Sequence, residues 1–234
     1  MVVSGIEIAV ERKAIKHTHL SVFPPDARVH VSAPLDLPEA DLRSFLVSKV
    51  PWIRRQVAGV LAQPRQTRRE YASGESVYLL GKRYRLVVRH GEEAPTVRIA
   101  GRKVVLFGRG LEMREAREAR IFEWYRAELK RTLARLVPKC EEDAGEREPV
   151  AFEVRKMRTR WGACNAGKRR ICFNLALARV PIRCIEYVVV HEIVHLVVPN
   201  HSRLFERMMD RRLPRWREAR KELNEFVALP LENV

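Results

Sequence analysis

The sequence predicts an α+β protein: a β-rich N-terminal lobe with a helical insertion, then a C-terminal lobe with a small antiparallel sheet beside an apolar helix. Three observations predict it. Short alternating segments punctuated by Pro and Gly fill most of the first hundred residues. A long amphipathic stretch follows at about 111–137. The run "IEYVVVHEIVHLVVPNH" (185–201) then lies between Pro181 and the end of a continuous apolar segment at Pro199. We therefore expect a β-rich lobe over 1–110 and a second lobe, carrying the functional residues, over 111–234, with one continuous domain as the alternative.

In the first lobe, residues 5–11, 18–23 and 28–33 read as strands. In "RVHVSAP" Val29 and Val31 face one way and Arg28, His30 and Ser32 the other. Pro24, Pro25, Pro34 and Pro38 separate the segments. Leu42, Phe45, Leu46, Val50 and Ile53 share one helical face, and Pro51 is expected to split this helix in two. The polar stretch 63–75 reads as a linker. "VYLLGKRYRLVVRH" and "TVRIAGRKVVLFG" return to strand character, with turns at Gly81 and Gly101.

In the second lobe, Ile121, Phe122, Tyr125, Leu129 and Leu133 make the stripe of the long helix. "PKCEEDAGEREP" (138–149) reads as a connector. Residues 151–158 and 169–175 read as a hairpin around "WGACNAGKRR". Pro181 opens the apolar helix and Pro199 ends it, because a proline ring removes a donor and clashes with the preceding turn. Ser202 suits the N-cap of a helix over 203–212, and Pro214 the first turn of a last helix reaching about Val227.

Composition bounds the function. The 234 residues are 46% hydrophobic and 32% charged, as in folded globular chains. The start, "MVVSGIEIAVERK", has no basic segment ahead of an apolar one, so no secretory signal is expected and a cytoplasmic location is the default expectation. Residues 185–198 are too short and too polar, with Glu186, His191, Glu192 and His195, for a membrane span. Cys140, Cys164, Cys172 and Cys184 form no CxxC pair and are expected to be reduced and structural. The net charge of +16 favours polyanions such as DNA as partners, although the excess is spread along the chain and also reads as an Arg-rich solvated surface. Nothing in the sequence speaks to oligomeric state.

"HEIVH" (191–195) carries the chemistry. Histidines four apart on a helix lie ~40° apart around its axis, one turn above the other, so their ring nitrogens can converge on one ion. Glu192 points elsewhere and suits a general base acting on a water at the metal. His201, beyond the break at Pro199–Asn200, is the candidate third ligand. Three protein ligands and an open position are what a catalytic zinc requires. With 7 His and 24 Glu in the chain, HExxH arises by chance only roughly 0.02 times per chain. Ionisable groups buried among Ile185, Val188, Val189, Val190, Ile193 and Val194 need a strong partner, and a Zn2+ ion is one. The spacing also meets the HExxHxxGxxH form of metzincin peptidases, except that Val198 stands at the Gly position and no Met-turn is evident.

"TRWGAC" (159–164), "ICFNLALARVP" (171–181), "EYVVVHEIVHLVVPNHSRLFERMM" (186–209) and "LPRWREARKEL" (213–223) occur in order. Together with "VERKAIKHTHLSVFPPDARVHVSAP" and "SKVPWIRRQ", they resemble the YgjP-like family of zinc metallopeptidases, related to the SprT-like and WLM groups. The resemblance implies a gluzincin-like catalytic lobe with His191, His195 and His201 as ligands and Glu192 as base. The chain departs from the family pattern at Ala163, often Ser, and at Glu206, often aromatic.

The implied activity is hydrolysis of peptide bonds in protein or peptide substrates by metal-activated water. Kinship with SprT-like proteins and the basic balance extend this to DNA-associated proteins. The other reading is a metal-stabilised nucleic-acid-binding or regulatory module with little or no peptidase activity. A strand beside the active helix often pairs with substrate in such enzymes, and Arg170, Ile171, Cys172, Phe173 and Asn174 suit that role; an interior strand is the competing reading. Asn174 and Trp161 are expected to hold the hairpin against the helix. Trp216 reads as core, with Arg215 and Arg217 solvated.

Overall fold

A computed structural model of the chain describes residues 1–23, 26–62, 69–144, 148–157 and 159–228. It is α+β, with small mixed sheets and, among the described residues, five α-helices. The expected punctuation at Pro24 and Pro25, the first part of the 63–75 linker, residues 145–147 of the connector and residue 158 of the hairpin lie outside the described residues.

The chain divides into two compact units, 1–67 and 68–234, so the boundary expected at 110 falls inside the second. The first unit has strands β1 (Val2–Val3), β2 (Ile6–Lys13), β3 (His19–Phe23) and β4 (Arg28–Pro34) in the order β1-β2-β4-β3, with β2 and β4 parallel. Val29, Val31 and Ala33 face a core completed by Leu42, Leu46 and Ile53 of helix α1 (Glu39–Ala62). Burying each of the Val, Leu and Ile side chains contributes roughly 1.5–3 kcal/mol. Pro51 does not split α1, which runs through it. Pro51 and Val47 are both exposed, so the carbonyl that loses its partner faces water.

The second unit opens with β5 (Ser76–Leu79), β6 (Lys82–His90), β7 (Thr96–Ala100) and β8 (Lys103–Gly108), ordered β5-β6-β8-β7. The later part of the expected linker is structured: Tyr71 is buried, and Glu75 Oε1 accepts from the Glu70 and Ala72 amides. Leu80 and Gly81 both take positive φ, closing the β5–β6 hairpin with the twist flanking strands favour. Residue 81 is glycine for a second reason: a Cβ there would lie 2.8 Å from Pro181 Cγ.

Helix α2 (Arg114–Ala144) continues past Pro138 into the expected connector, because Cys140 and Glu141 are buried and hold that turn on the core. The hairpin expected from 151–158 and 169–175 is built differently. Strand β9 (Ala151–Arg155) pairs in parallel with β11 (Arg170–Asn174), and β10 (Gly162–Asn165) is the antiparallel partner of β11. The sheet is therefore mixed, not antiparallel. Asn174 fixes the crossing between β9 and β10 by donating from Nδ2 to the carbonyls of Met157 (2.9 Å) and Arg160 (2.8 Å). The turn back into β11 is set by Asn165, whose side chain accepts from the Lys168 amide, and by left-handed Arg169.

Helices α3 (Ile182–Val194), α4 (Arg203–Arg212) and α5 (Trp216–Ala228) complete the unit. Cys184, Ile185, Tyr187, Val188, Val189, Val190, Ile193 and Val194 bury α3 on nearly every side. No helix among the described residues is long and apolar enough to cross a membrane.

Candidate metal centre

The β-branched run Val188–Val190 is a weak helix former, so α3 owes its stability to burial. It ends at Val194, five residues before Pro199. The amides of Leu196 and Val197 bond back three residues, to Ile193 and Val194, in a tightened last turn. Val198 is buried and has no positive φ, so the return is made without the metzincin glycine's left-handed turn. Pro199–Asn200 then bring His201 back, and α4 follows Ser202, whose side chain makes no cap hydrogen bond.

This path brings three rings to one focus. The Nε2 atoms lie 3.2 Å apart for His191 and His195, 3.2 Å for His195 and His201, and 3.1 Å for His201 and His191. Nitrogens arranged tetrahedrally about an ion at the usual Zn–N distance are ~3.3 Å apart. His195 Nδ1 lies 2.9 Å from the Val198 carbonyl oxygen, which can only accept, so the proton sits on Nδ1 and Nε2 presents a lone pair to the focus. Burial, then the neighbouring His195 and His201, push His191 down to about 3; burial, then His195, lower His201. Neutral imidazoles with facing lone pairs fit a metal ion. Among the described residues these three form the one cluster of His, Cys, Asp and Glu that can hold an ion. The four cysteines are free thiols.

Two buried rings shape the centre from behind. Phe205 of α4 packs 4.9, 4.7 and 4.8 Å from the centroids of His191, His195 and His201. Tyr187 meets His191 edge-on at 5.7 Å and stacks on Trp216 at 6.1 Å. Trp216 is core, as expected; its indole N–H donates to Asp210 (2.8 Å). Arg215 and Arg217 are paired with Glu218 and Asp210.

Glu192 is only 5% exposed. Burial pushes its carboxyl up to about 7, against the opposing pull of the Arg160 charge and a backbone hydrogen bond with Cys164. It lies against β10 at Gly162, where a Cβ would fall 2.6 Å from Glu192 Oε1. The three histidines, Glu192 and Tyr187 line a cleft of about 540 Å3 together with Arg160, Trp161 and Gly162.

The five residues Arg170 to Asn174 do not line this cleft. They form β11, the middle strand, hydrogen-bonded to β10 on one side and β9 on the other. Both backbone edges of β11 are occupied, so an added strand would have to pair along an edge strand, β10 or β9, and of these β10 lines the cleft. Gly162, Phe205 and Arg160 are site residues that sequence reasoning missed. The signals were a glycine inside "TRWGAC" and an aromatic on the apolar face of α4.

A buried helix delivers two imidazoles, the turn beyond it a third, and a carboxylate stands beside them, a donor set that fits a metal ion. The chain belongs to the YgjP-like family: the model of the YgjP-like metallopeptidase domain matches residues 17–226. It is thus a metallopeptidase by family, which implies a metal ion and protein or peptide substrates. Among solved structures, the metallopeptidase zymogen of Pyrococcus abyssi abylysin is similar at 20% identity and a TM-score of 0.37, over 39% of this chain and 90% of that one, a likeness too partial to carry any argument. No curated protein matches the chain.

Proposed function

We propose that the chain is a zinc-dependent peptidase with His191, His195 and His201 as the metal ligands and Glu192 as the general base. The observation that carries this reading is the meeting of three Nε2 atoms within 3.2 Å beside a buried carboxylate. Zinc, when bound, supplies Lewis acidity that polarises the scissile carbonyl and acidifies the attacking water. Glu192 takes that water's proton and passes it to the leaving amine. A carboxyl raised to about 7 by burial is matched to both halves of that task near neutral pH. Strand β10, which pairs only with β11 among the described residues, offers its free edge to an extended substrate running past Glu192.

The test compares wild type with Glu192→Gln on a panel of unfolded proteins and peptides. Both proteins should hold zinc and only wild type should cut. If neither cuts while both hold zinc, the enzyme reading fails and a metal-stabilised binding module replaces it. Metal analysis of untagged His201→Ala checks the ligand set separately: zinc content equal to wild type would remove His201 from it.

A further inference from the structure

The sheet β5-β6-β8-β7 has one face on the core and one turned outward. Val77, Tyr84, Leu86, Val88, Val97, Val104 and Leu106 belong to the core side. Registers then place Arg83, Arg85 and Arg89 of β6, Lys103 of β8 and Arg98 of β7 on the outward side. All five are exposed, and among the described residues none is in an ion pair. No Asp or Glu occupies any position of the four strands. The nearest acids in the sequence are Glu75, which precedes β5 and whose carboxylate is taken up by the Glu70 and Ala72 amides, and Glu92 and Glu93 in the loop after β6.

This arrangement costs stability. Arg85 and Lys103 are direct cross-strand partners, and like charges in that position repel. Surfaces that serve solubility alone intersperse the two signs. The first unit's sheet does so, with Lys13 on Glu11 of the same strand. On the basic face two aromatic rings stand beside the cations: Tyr78 opposite Arg83, and Phe107 opposite Arg89. Both rings are half-buried. From Arg83 to Arg89, β6 runs roughly 20 Å.

We propose that this outward face binds single-stranded nucleic acid. Charge complementarity selects a polyanion, and the rings beside the guanidinium groups select unpaired bases: cations hold phosphates while aromatic faces stack bases. The face lies on strands that contribute nothing to the metal centre, so the proposal stands or falls independently of peptidase activity.

The experiment uses the full chain and a fluorescein-labelled fifteen-residue oligothymidylate. If the five cations neutralise phosphates, affinity falls roughly 100-fold between 50 and 200 mM salt. The variant Arg83→Gln, Arg85→Gln, Arg89→Gln, Arg98→Gln should bind at least tenfold more weakly and lose most of that salt dependence, with zinc content and peptide turnover unchanged. Tyr78→Ser should bind at least fivefold more weakly at the wild-type salt slope. A control variant removes the same charge from exposed α1 positions, Arg43→Gln, Lys49→Gln, Arg54→Gln and Arg55→Gln, and should bind as wild type does. Equal loss in the two charge variants would reduce the effect to bulk charge and overturn the proposal. So would absence of binding at 50 mM salt, or tighter binding of a duplex or of polyglutamate than of the single strand.

Discussion

The carboxylate of Glu192 occupies the space that a side chain at position 162 would need: a Cβ built on Gly162 falls 2.6 Å from Oε1, 2.8 Å from Cγ and 2.9 Å from Cδ of Glu192. Gly162 has no positive φ, so its role is room and not backbone freedom. The carboxylate of α3 is thereby set directly against the backbone of β10.

Gly162→Ala should push Glu192 and β10 apart while leaving the three histidines in place. We expect zinc content to be kept and peptide turnover to fall roughly 100-fold, the scale on which a 1 Å misplacement acts. Steady-state kinetics with metal analysis checks this; unchanged turnover would show that the contact is immaterial to the base.

Glu192 also makes stability depend on pH in protein stripped of metal. Its folded value of about 7 lies above the ordinary 4.5. A carboxyl raised in this way favours the folded state fully below 4.5. The unfolded chain ionises freely as pH rises, so that contribution is lost between 4.5 and 7. Glu192→Gln carries no such loss. Its stability relative to wild type should therefore rise by up to roughly 3 kcal/mol between pH 4.5 and 8. His191, lowered to about 3, contributes to both proteins and cancels. Urea unfolding of the two stripped proteins across this range decides it, and a pH-independent gap would refute the assignment.

Metal should stabilise the fold, since a ligand that binds only the folded state adds its binding free energy. Chelation is expected to lower the melting temperature of wild type and to leave that of His195→Ala nearly unchanged. Phe205→Leu should keep the fold but weaken zinc affinity roughly tenfold, because the three rings lose the wall that orients them. Competition with a chromophoric chelator measures the second effect, and calorimetry the first.

Trp216 links the centre to the last helix through its stack on Tyr187 and its bond to Asp210. Trp216→Ala should cost about 3–5 kcal/mol in urea unfolding. Trp216→Phe, which keeps a ring but loses the indole donor, should cost less than half of that. Equal losses would place the whole effect on the hydrogen bond.

The metal centre was readable because its spacing depends on helical period. His191, Glu192 and His195 lie within little more than one turn, and His201 follows a break that proline announces. Strands β2 to β8 were readable for the same local reason, alternation bounded by Gly and Pro. What escaped depends on partners far away in the chain. The parallel pairing of β9 with β11 rests on a crossover clamped by Asn174, and "GACN" lacks the alternation that marks a strand. Pro51 and Pro138 read as breaks, yet exposure of one helix face and burial of Glu141 and Cys140 carry both helices through. Gly162 says nothing by itself about a carboxylate thirty residues on.

The position of β10 has a consequence for what the cleft can select. A chain that joins a sheet at its border must arrive with its own amides unengaged, whatever its side chains are. If substrate joins β10 beside Arg160 as proposed, the first criterion for entry is conformational: a damaged, nascent or unpaired segment qualifies, and the same residues folded into a helix do not. On this account the enzyme discriminates by the state of its substrate before it discriminates by sequence.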